Sequence, residues 1–393
     1  MSKSTFSPWP CFSEEEANAA RDVLLSNKVN YWTGEKCREF ETAFAVWSEC
    51  QYAIAMANGT VALDSALRAL GIGSGDEVIV TSRTFIASVS SIVLLGAKPV
   101  FADVDPDSQN IHVDSIKPLL NEKTKAIICV HLAGWPCEMD DIMSLAKRHD
   151  LKVIEDCAQA HGAKYKGHSV GAIGDIGCWS FCQDKIMTTG GEGGMVTTNS
   201  EELWKKMWSF KDHGKSYDAV HDISHPPGFR WLHQSFGSNY RMTEMQAAIG
   251  LIQLQQMEKW TTARQSKAKK IWHIASKHQA LRVPDVPEHM KHAAYKAYVF
   301  VRPDKLKLGW DRDRIMGEIT QRGIPCFSGS CSEVYLEEAF ENLGLKPDFP
   351  LYIARELGQT SLMFLVHPTV TEYEINKTCD VISQVMALAE IGL

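Results

Sequence analysis

Six short apolar runs between Asp76 and Thr198 constrain this chain more than any other feature. They cover residues 77–80, 99–103, 125–130, 151–155, 177–181 and 194–198, and few polar residues alternate within them. Runs of that length and texture fit strands covered on both faces. The first four are far enough apart for helical crossovers, as at 87–95 and 140–149, which predicts a mainly parallel sheet sheathed by helices. The last two follow each other closely, so an antiparallel member is allowed there. Ser13 and Glu16 read as a capping box that opens a helix running to Leu25.

Thr243 with Gln246 caps a second helix, from Glu244 to about Lys259, with apolar spacing at Met245, Ala248, Ile249, Ile252 and Met257. Beyond it the pattern changes to a strand at 295–301, a helix at 311–321, a strand near 361–366 and a helix at 371–389. The expected organisation is a large α/β domain over 1–260 and a smaller C-terminal α+β domain over 261–393.

Composition narrows the function classes. With 41 Lys+Arg against 48 Asp+Glu, the formal net charge of -7 gives no global field for nucleic acid or an anionic membrane. Eleven cysteines are scattered, with only Cys178 and Cys182 close together and no second pair or His cluster to complete a zinc set. Reduced thiols in a cytoplasmic protein are the expectation. The first 16 residues lack the basic and apolar regions of a signal peptide, and no apolar run approaches the length needed to cross a bilayer. Gly71, Gly73 and Gly75 do not match the dinucleotide fingerprint and follow a helix, which speaks against a nicotinamide dehydrogenase.

In an open α/β sheet, ligands bind beyond the carboxyl ends of the strands. Lys185 lies just past the run 177–181 and ahead of a glycine cluster at 190–194. A desolvated lysine there is able to form a Schiff base with a carbonyl, although loop lysines are common. Asp156 ends another run; a salt bridge or helix cap would account for it, and so would a protonated ring nitrogen opposite. Gly59 and Thr60 open a helix whose N–H groups suit either a phosphate or simple capping. Phe85 is a core aromatic or a face on which a flat ring stacks. Together the four describe one ligand, pyridoxal 5'-phosphate, which needs a phosphate cradle, a stacking face, a carboxylate for its ring nitrogen and a lysine.

The ordered motifs NGT, TF, EDCAQAHGA, SFCQDK, GGEGG and SNYRMTEMQAA, with the tail FLVHPTVTEYE, resemble the sugar aminotransferases of the DegT/DnrJ group from about Asn30 onward. The resemblance implies the fold type I aminotransferase architecture, with a mainly parallel seven-stranded sheet. It implies that Lys185 is the Schiff-base lysine, that Asp156 pairs with the pyridinium nitrogen and that Gln159 sits near the ring hydroxyl. Phe85 would stack on the ring, while Gly59, Thr60 and Ser180 would hold the phosphate. Asn239 would reach into the neighbouring subunit's site, which implies a homodimer with shared active sites. Tyr31, Tyr240, Arg241 and Ser330 are the candidate substrate contacts. No metal is implied.

The implied reaction moves an amino group from glutamate to a keto sugar for a bacterial surface polysaccharide such as O-antigen. Related dehydratases carry His where this chain has Lys185, so amino transfer is favoured over dehydration. A non-enzymatic pyridoxal-phosphate-binding regulator is the third class. The segment 324–335 lacks the Tyr/Pro-Leu-His stretch that many relatives place near the sugar. A nucleotide-linked keto sugar is the expected acceptor. The alternative is a free keto sugar acid such as 8-oxo-3-deoxyoctulosonate, giving 8-amino-3,8-dideoxyoctulosonate.

Overall fold

A computed structural model describes residues 6–221 and 228–391. Seven strands form the main sheet in the spatial order Tyr52–Met56, Gly194–Thr198, Ile176–Ser180, Lys152–Asp156, Thr124–Val130, Glu77–Thr81 and Lys98–Ala102. Gly194–Thr198 runs antiparallel to both neighbours, and every other adjacent pair is parallel. Side chains alternate between two cores, as strand geometry requires. Val78 and Val80 pack under helix Gly59–Ala69, whereas Ile79 packs with Met139 and Ile142 of helix Met139–Arg148 on the other face.

All six runs read from the sequence are strands. The seventh, Tyr52–Met56, is not among them. It lies at one edge, and its strand partner is Gly194–Thr198, in the register Tyr52↔Thr198 and Met56↔Gly194; Met56 also bridges to Arg241.

The helix capped by Thr243 and Gln246 spans Glu244–Ala275, well past Lys259, without a break at Thr261. Its apolar side changes partners on the way. Ala247, Leu254 and Met257 join the core beside the main sheet, while Ala268, Ile271 and Ala275 join the C-terminal core. The buried stripe also differs from the expected one: Met245, Ile249 and Ile252 are only half-buried, and Gly250 faces the protein interior. The reason is close helix packing, since a Cβ at Gly250 would lie 2.7 Å from the Phe40 ring.

The C-terminal unit is a four-stranded antiparallel sheet, ordered Leu281–Arg282, Ala297–Val301, Ser361–Phe364 and Cys326–Phe327. Helices Arg312–Gln321 and Glu372–Ala389 cover it. Ser7 near the N-terminus ties to the last helix, its N–H and hydroxyl donating to Glu374 at 2.6 and 2.9 Å. All eleven cysteines are free. Among the described residues no helix is long and apolar enough to cross a membrane.

Candidate active site

The carboxyl ends of Tyr52–Met56, Lys152–Asp156 and Ile176–Ser180 open onto a cavity of about 960 Å³, closed on its far side by the C-terminal sheet. Gly59, Thr60, Phe85, Asp156, Gln159, Ser180, Lys185 and Ser330 all line it. Eight of the twelve residues singled out from the sequence therefore meet in one place.

The phosphate-sized end is built by close backbone approach. Asn58 caps the helix Gly59–Ala69, its Oδ1 accepting from Val61 N–H at 3.0 Å. The first N–H groups of any helix have no intrahelical partner, so those of Gly59 and Thr60 are left for a ligand. A Cβ at Gly59 would sit 2.6 Å from Ser180 Cβ, and one at Gly194 would sit 2.4 Å from the Asn58 carbonyl carbon. Only hydrogen at both positions lets the helix start seat against the strand ends.

Asp156 is 6% exposed and held from two sides. Its Oδ2 accepts from Ser88 Oγ at 2.8 Å and its Oδ1 from Ala158 N–H at 3.1 Å. Thr84 Oγ1 in turn lies 2.8 Å from Ser88 Oγ. Gln159 Oε1 accepts from Ala133 N–H at 2.8 Å, which fixes the amide and leaves its Nε2 available. Phe85 is 67% exposed, so the core reading of this aromatic does not hold. Lys185 is half-buried; its Nζ lies 5.5 Å from the centre of the Tyr295 ring, and its carbonyl accepts from Trp9 Nε1 at 2.8 Å.

Tyr31, Asn239, Tyr240 and Arg241 do not line this cavity. Tyr31 is buried, its hydroxyl taken by Glu41 and Trp208, with Lys211 Nζ 3.5 Å from its ring centre. That packing corrects the expectation of a substrate contact for Tyr31 within its own chain. Tyr240 donates to Asp64 at 2.7 Å, and Arg241 donates to Asp212 at 3.0 Å. Asn239 is exposed on the turn that carries both.

Two neighbours of Asp156 serve the fold. Burial alone would raise the Glu155 carboxyl, but His131 at 2.9 Å and backbone N–H groups of Gly171 and Gly174 hold it low. His131 Nδ1 accepts from Cys137 N–H at 3.0 Å, so its proton resides on Nε2 toward Glu155. Glu155, His131 and Cys157 come close enough to hold a metal, yet the first two are committed to these bonds. His161 is fully buried against Trp179 and Phe181, and burial, with Lys185 and Arg264 adding to it, pushes its pKa down to about 3.

The sequence reading missed Ser88, Tyr295, Lys296 and Tyr298, which also line the cavity. The spacing of Lys296 and Tyr298 carried a signal, since residues two apart at a strand share a face. Arg83 was missed too. It is fully buried and donates to Gln109, Ser332 and Ser361, pinning the segment 324–335 beside the cavity.

A profile of the DegT/DnrJ/EryC1/StrS aminotransferase family matches residues 10–383. The chain belongs to that family. An aminotransferase from Psychrobacter cryohalolentis has a solved structure that is 62% identical, with a TM-score of 0.96 over 98% of this chain and 99% of that one. The Helicobacter pylori PseC aminotransferase, involved in the biosynthesis of pseudoaminic acid, is 25% identical, with a TM-score of 0.86 over 98% of this chain and all of that one. GDP-perosamine synthase of Caulobacter vibrioides is 36% identical over 375 residues, 93% of this chain and 95% of that protein.

This DegT/DnrJ/EryC1/StrS member is thus a sugar aminotransferase of fold type I, and its cofactor is pyridoxal 5'-phosphate. The cavity fits that group. The glycine-lined helix start matches a phosphate, the exposed Phe85 face a flat ring, the doubly held Asp156 a ring nitrogen and Lys185 an aldehyde.

Proposed function

We propose that the enzyme moves an amino group from glutamate to the carbonyl of a nucleotide-linked keto sugar, in the cytoplasm, for a bacterial surface polysaccharide such as O-antigen. The observation that carries this reading is the convergence of Lys185 and Asp156 on one cavity large enough to admit a sugar beside the cofactor. The similarity to a GDP-perosamine synthase along nearly its whole length supports a nucleotide-linked acceptor.

When bound, pyridoxal phosphate supplies an aldehyde that takes up an amine and a ring that spreads the electron pair left on a deprotonated carbon. The residues of the chain divide the remaining work. Amides of Gly59 and Thr60, with the Ser180 hydroxyl, hold the phosphate at the helix start. Asp156 keeps a proton at the ring nitrogen, and Gln159 directs its free Nε2 to the ring hydroxyl. Phe85 covers one ring face and excludes water there. Lys185 Nζ would take the proton from the donor's α-carbon and deliver it to C4′, across the intervening nitrogen; on the acceptor side it would do the reverse.

The proposal includes a homodimer with shared sites. Asn239 is exposed on a turn outside its own chain's cavity, and the central helix leaves Met245, Ile249 and Ile252 half-buried. Both features suit a neighbouring subunit.

A free keto sugar acid is the second acceptor reading, favoured by the lysine at position 296 on the cavity wall. A half-reaction screen separates the two. Enzyme pre-loaded with the amino form of the cofactor is offered nucleotide-linked 4-keto and 3-keto hexoses and free keto-deoxy sugar acids. Return of the cofactor's visible absorbance with a nucleotide-linked sugar is the expected result. A response confined to the free acids selects the second reading, and silence with every sugar overturns both.

A further inference from the structure

We propose that Lys296 is the anchor of a carboxylate subsite, receiving a carboxylate of the donor or acceptor while the reacting carbon lies at Lys185. Three observations carry it. First, Lys185 and Lys296 approach the same aromatic ring, their Nζ atoms 5.5 and 4.6 Å from the Tyr295 centroid. The two ammonium groups therefore lie within about 10 Å of each other.

Second, cations outnumber carboxylates near Lys296: Lys296, Lys185 and Arg264 stand close to one another, with the Asp184 carboxylate beside them. Lys296 has no hydrogen bond or ion pair among the described residues, although it lines the cavity. Behind Tyr295, Arg264 is 1% exposed, and its Nε and Nη2 have no hydrogen-bond partner. Its Nη1 reaches only the Tyr295 carbonyl, at 3.3 Å. The nearby carboxylate, Asp184, already accepts the Tyr295 hydroxyl. Arg264 also packs over the Trp9 ring, 5.1 Å from its centre, so its charge is only partly offset and a further anion nearby would be favourable.

Third, the position is separate from the phosphate cradle. Tyr298 belongs to the C-terminal sheet and Lys296 immediately precedes its strand, whereas Gly59 opens a helix of the main unit and Ser180 ends a strand of the main sheet. Burial drives the Lys296 pKa down to about 8, so the ammonium persists at neutral pH and gains most from a carboxylate partner.

Which substrate brings the carboxylate rests on the proposed function; the subsite itself does not, and the test keeps them apart. Glutarate, a dicarboxylate without an amine, is titrated calorimetrically into the cofactor-loaded enzyme and needs no turnover. The expected result is a rise in its Kd of about tenfold in both Lys296→Met and Lys296→Gln, with Lys296→Arg close to the unaltered enzyme. No measurable binding to the unaltered enzyme, or a change below threefold in either uncharged variant, overturns the subsite. Half-reactions then find the source. A raised KM for glutamate with that for norvaline unchanged assigns the donor's side-chain carboxylate. An unchanged glutamate KM with a raised KM for a free keto sugar acid assigns the acceptor. If glutarate binding falls in the variants and no keto sugar is aminated, the subsite stands and the proposed function fails.

Discussion

Ser88 donates its hydroxyl to Asp156 Oδ2 across 2.8 Å, joining a helix after one strand to the end of another. With the Ala158 N–H on Oδ1, the bond fixes the orientation of a carboxylate at the end of its strand. Ser88→Ala should slow the glutamate half-reaction by about threefold to tenfold, the worth of one ordinary hydrogen bond, since the Ala158 N–H still holds the carboxylate. Asp156→Asn should slow it by at least about a hundredfold while cofactor binding stays measurable. Stopped-flow absorbance of the cofactor checks both, and an Asp156→Asn enzyme as fast as the unaltered one would remove its electronic role.

The proposed mechanism makes Lys185 the amine that bonds the cofactor. Borohydride treatment followed by peptide mass spectrometry should find the cofactor mass on Lys185. In Lys185→Ala no peptide should carry it; a reduced adduct on Lys296 in the unaltered enzyme would show that the two lysines have been assigned the wrong way round.

Gly194 lets the strand edge and the helix start meet. A Cβ there would lie 2.4 Å from backbone atoms of Asn58, which cannot move without opening the cradle. Gly194→Ala should cost about 1–3 kcal/mol of stability and weaken cofactor affinity more than Gly73→Ala, a position with open space around its Cβ. Thermal melts and titration of the cofactor-free protein measure the two effects.

Acid should destabilise the fold early. Burial pushes His161, His292 and His367 down to about 3 from an ordinary value of 6.5. Each binds its proton more readily in the unfolded chain, so their contribution is complete above about pH 6.5 and shrinks as the pH falls toward 3. Unfolding free energy should be lower at pH 5 than at pH 7.5 by about 2 kcal/mol or more. Urea titrations at the two values check this; equal stabilities would contradict neutral burial of the three rings.

The proposed sharing of sites can be tested by complementation. Lys185→Ala and Asn239→Ala chains, each impaired alone, are mixed and refolded. If Asn239 acts in the partner's cavity, every mixed dimer regains one intact site, and random pairing restores about a quarter of normal activity. Recovery near zero would place Asn239 in its own chain's function.

The legible parts of the molecule were those written locally. Strands such as Glu77–Thr81 and Ile176–Ser180, with every residue buried, announce themselves as apolar runs, and the capping boxes at Ser13 and Thr243 mark their helices. Tyr52–Met56 was not legible, because its strand partner is Gly194–Thr198, far along the chain. The two-residue strands Leu281–Arg282 and Cys326–Phe327 exist through their neighbours alone. Site residues followed the same rule. Lys185 and Asp156 sit just past readable strands, while Tyr31 stood in the sequence as a polar candidate and only tertiary packing on Lys211 shows it to be core. No motif singles out Lys296 in the sequence, and only the fold brings it to the same aromatic ring as Lys185.

The uninterrupted helix Glu244–Ala275 also governs how this enzyme could trade parts with its relatives. Its 32 residues extend about 48 Å and lend one face to each of the two cores. A single residue gained or lost inside it would rotate everything beyond by about 100° and carry the C-terminal wall away from Lys185. Recombination that grafts a new acceptor wall onto the same cofactor platform must therefore keep helical phase or join after Ser276, where the helix has ended.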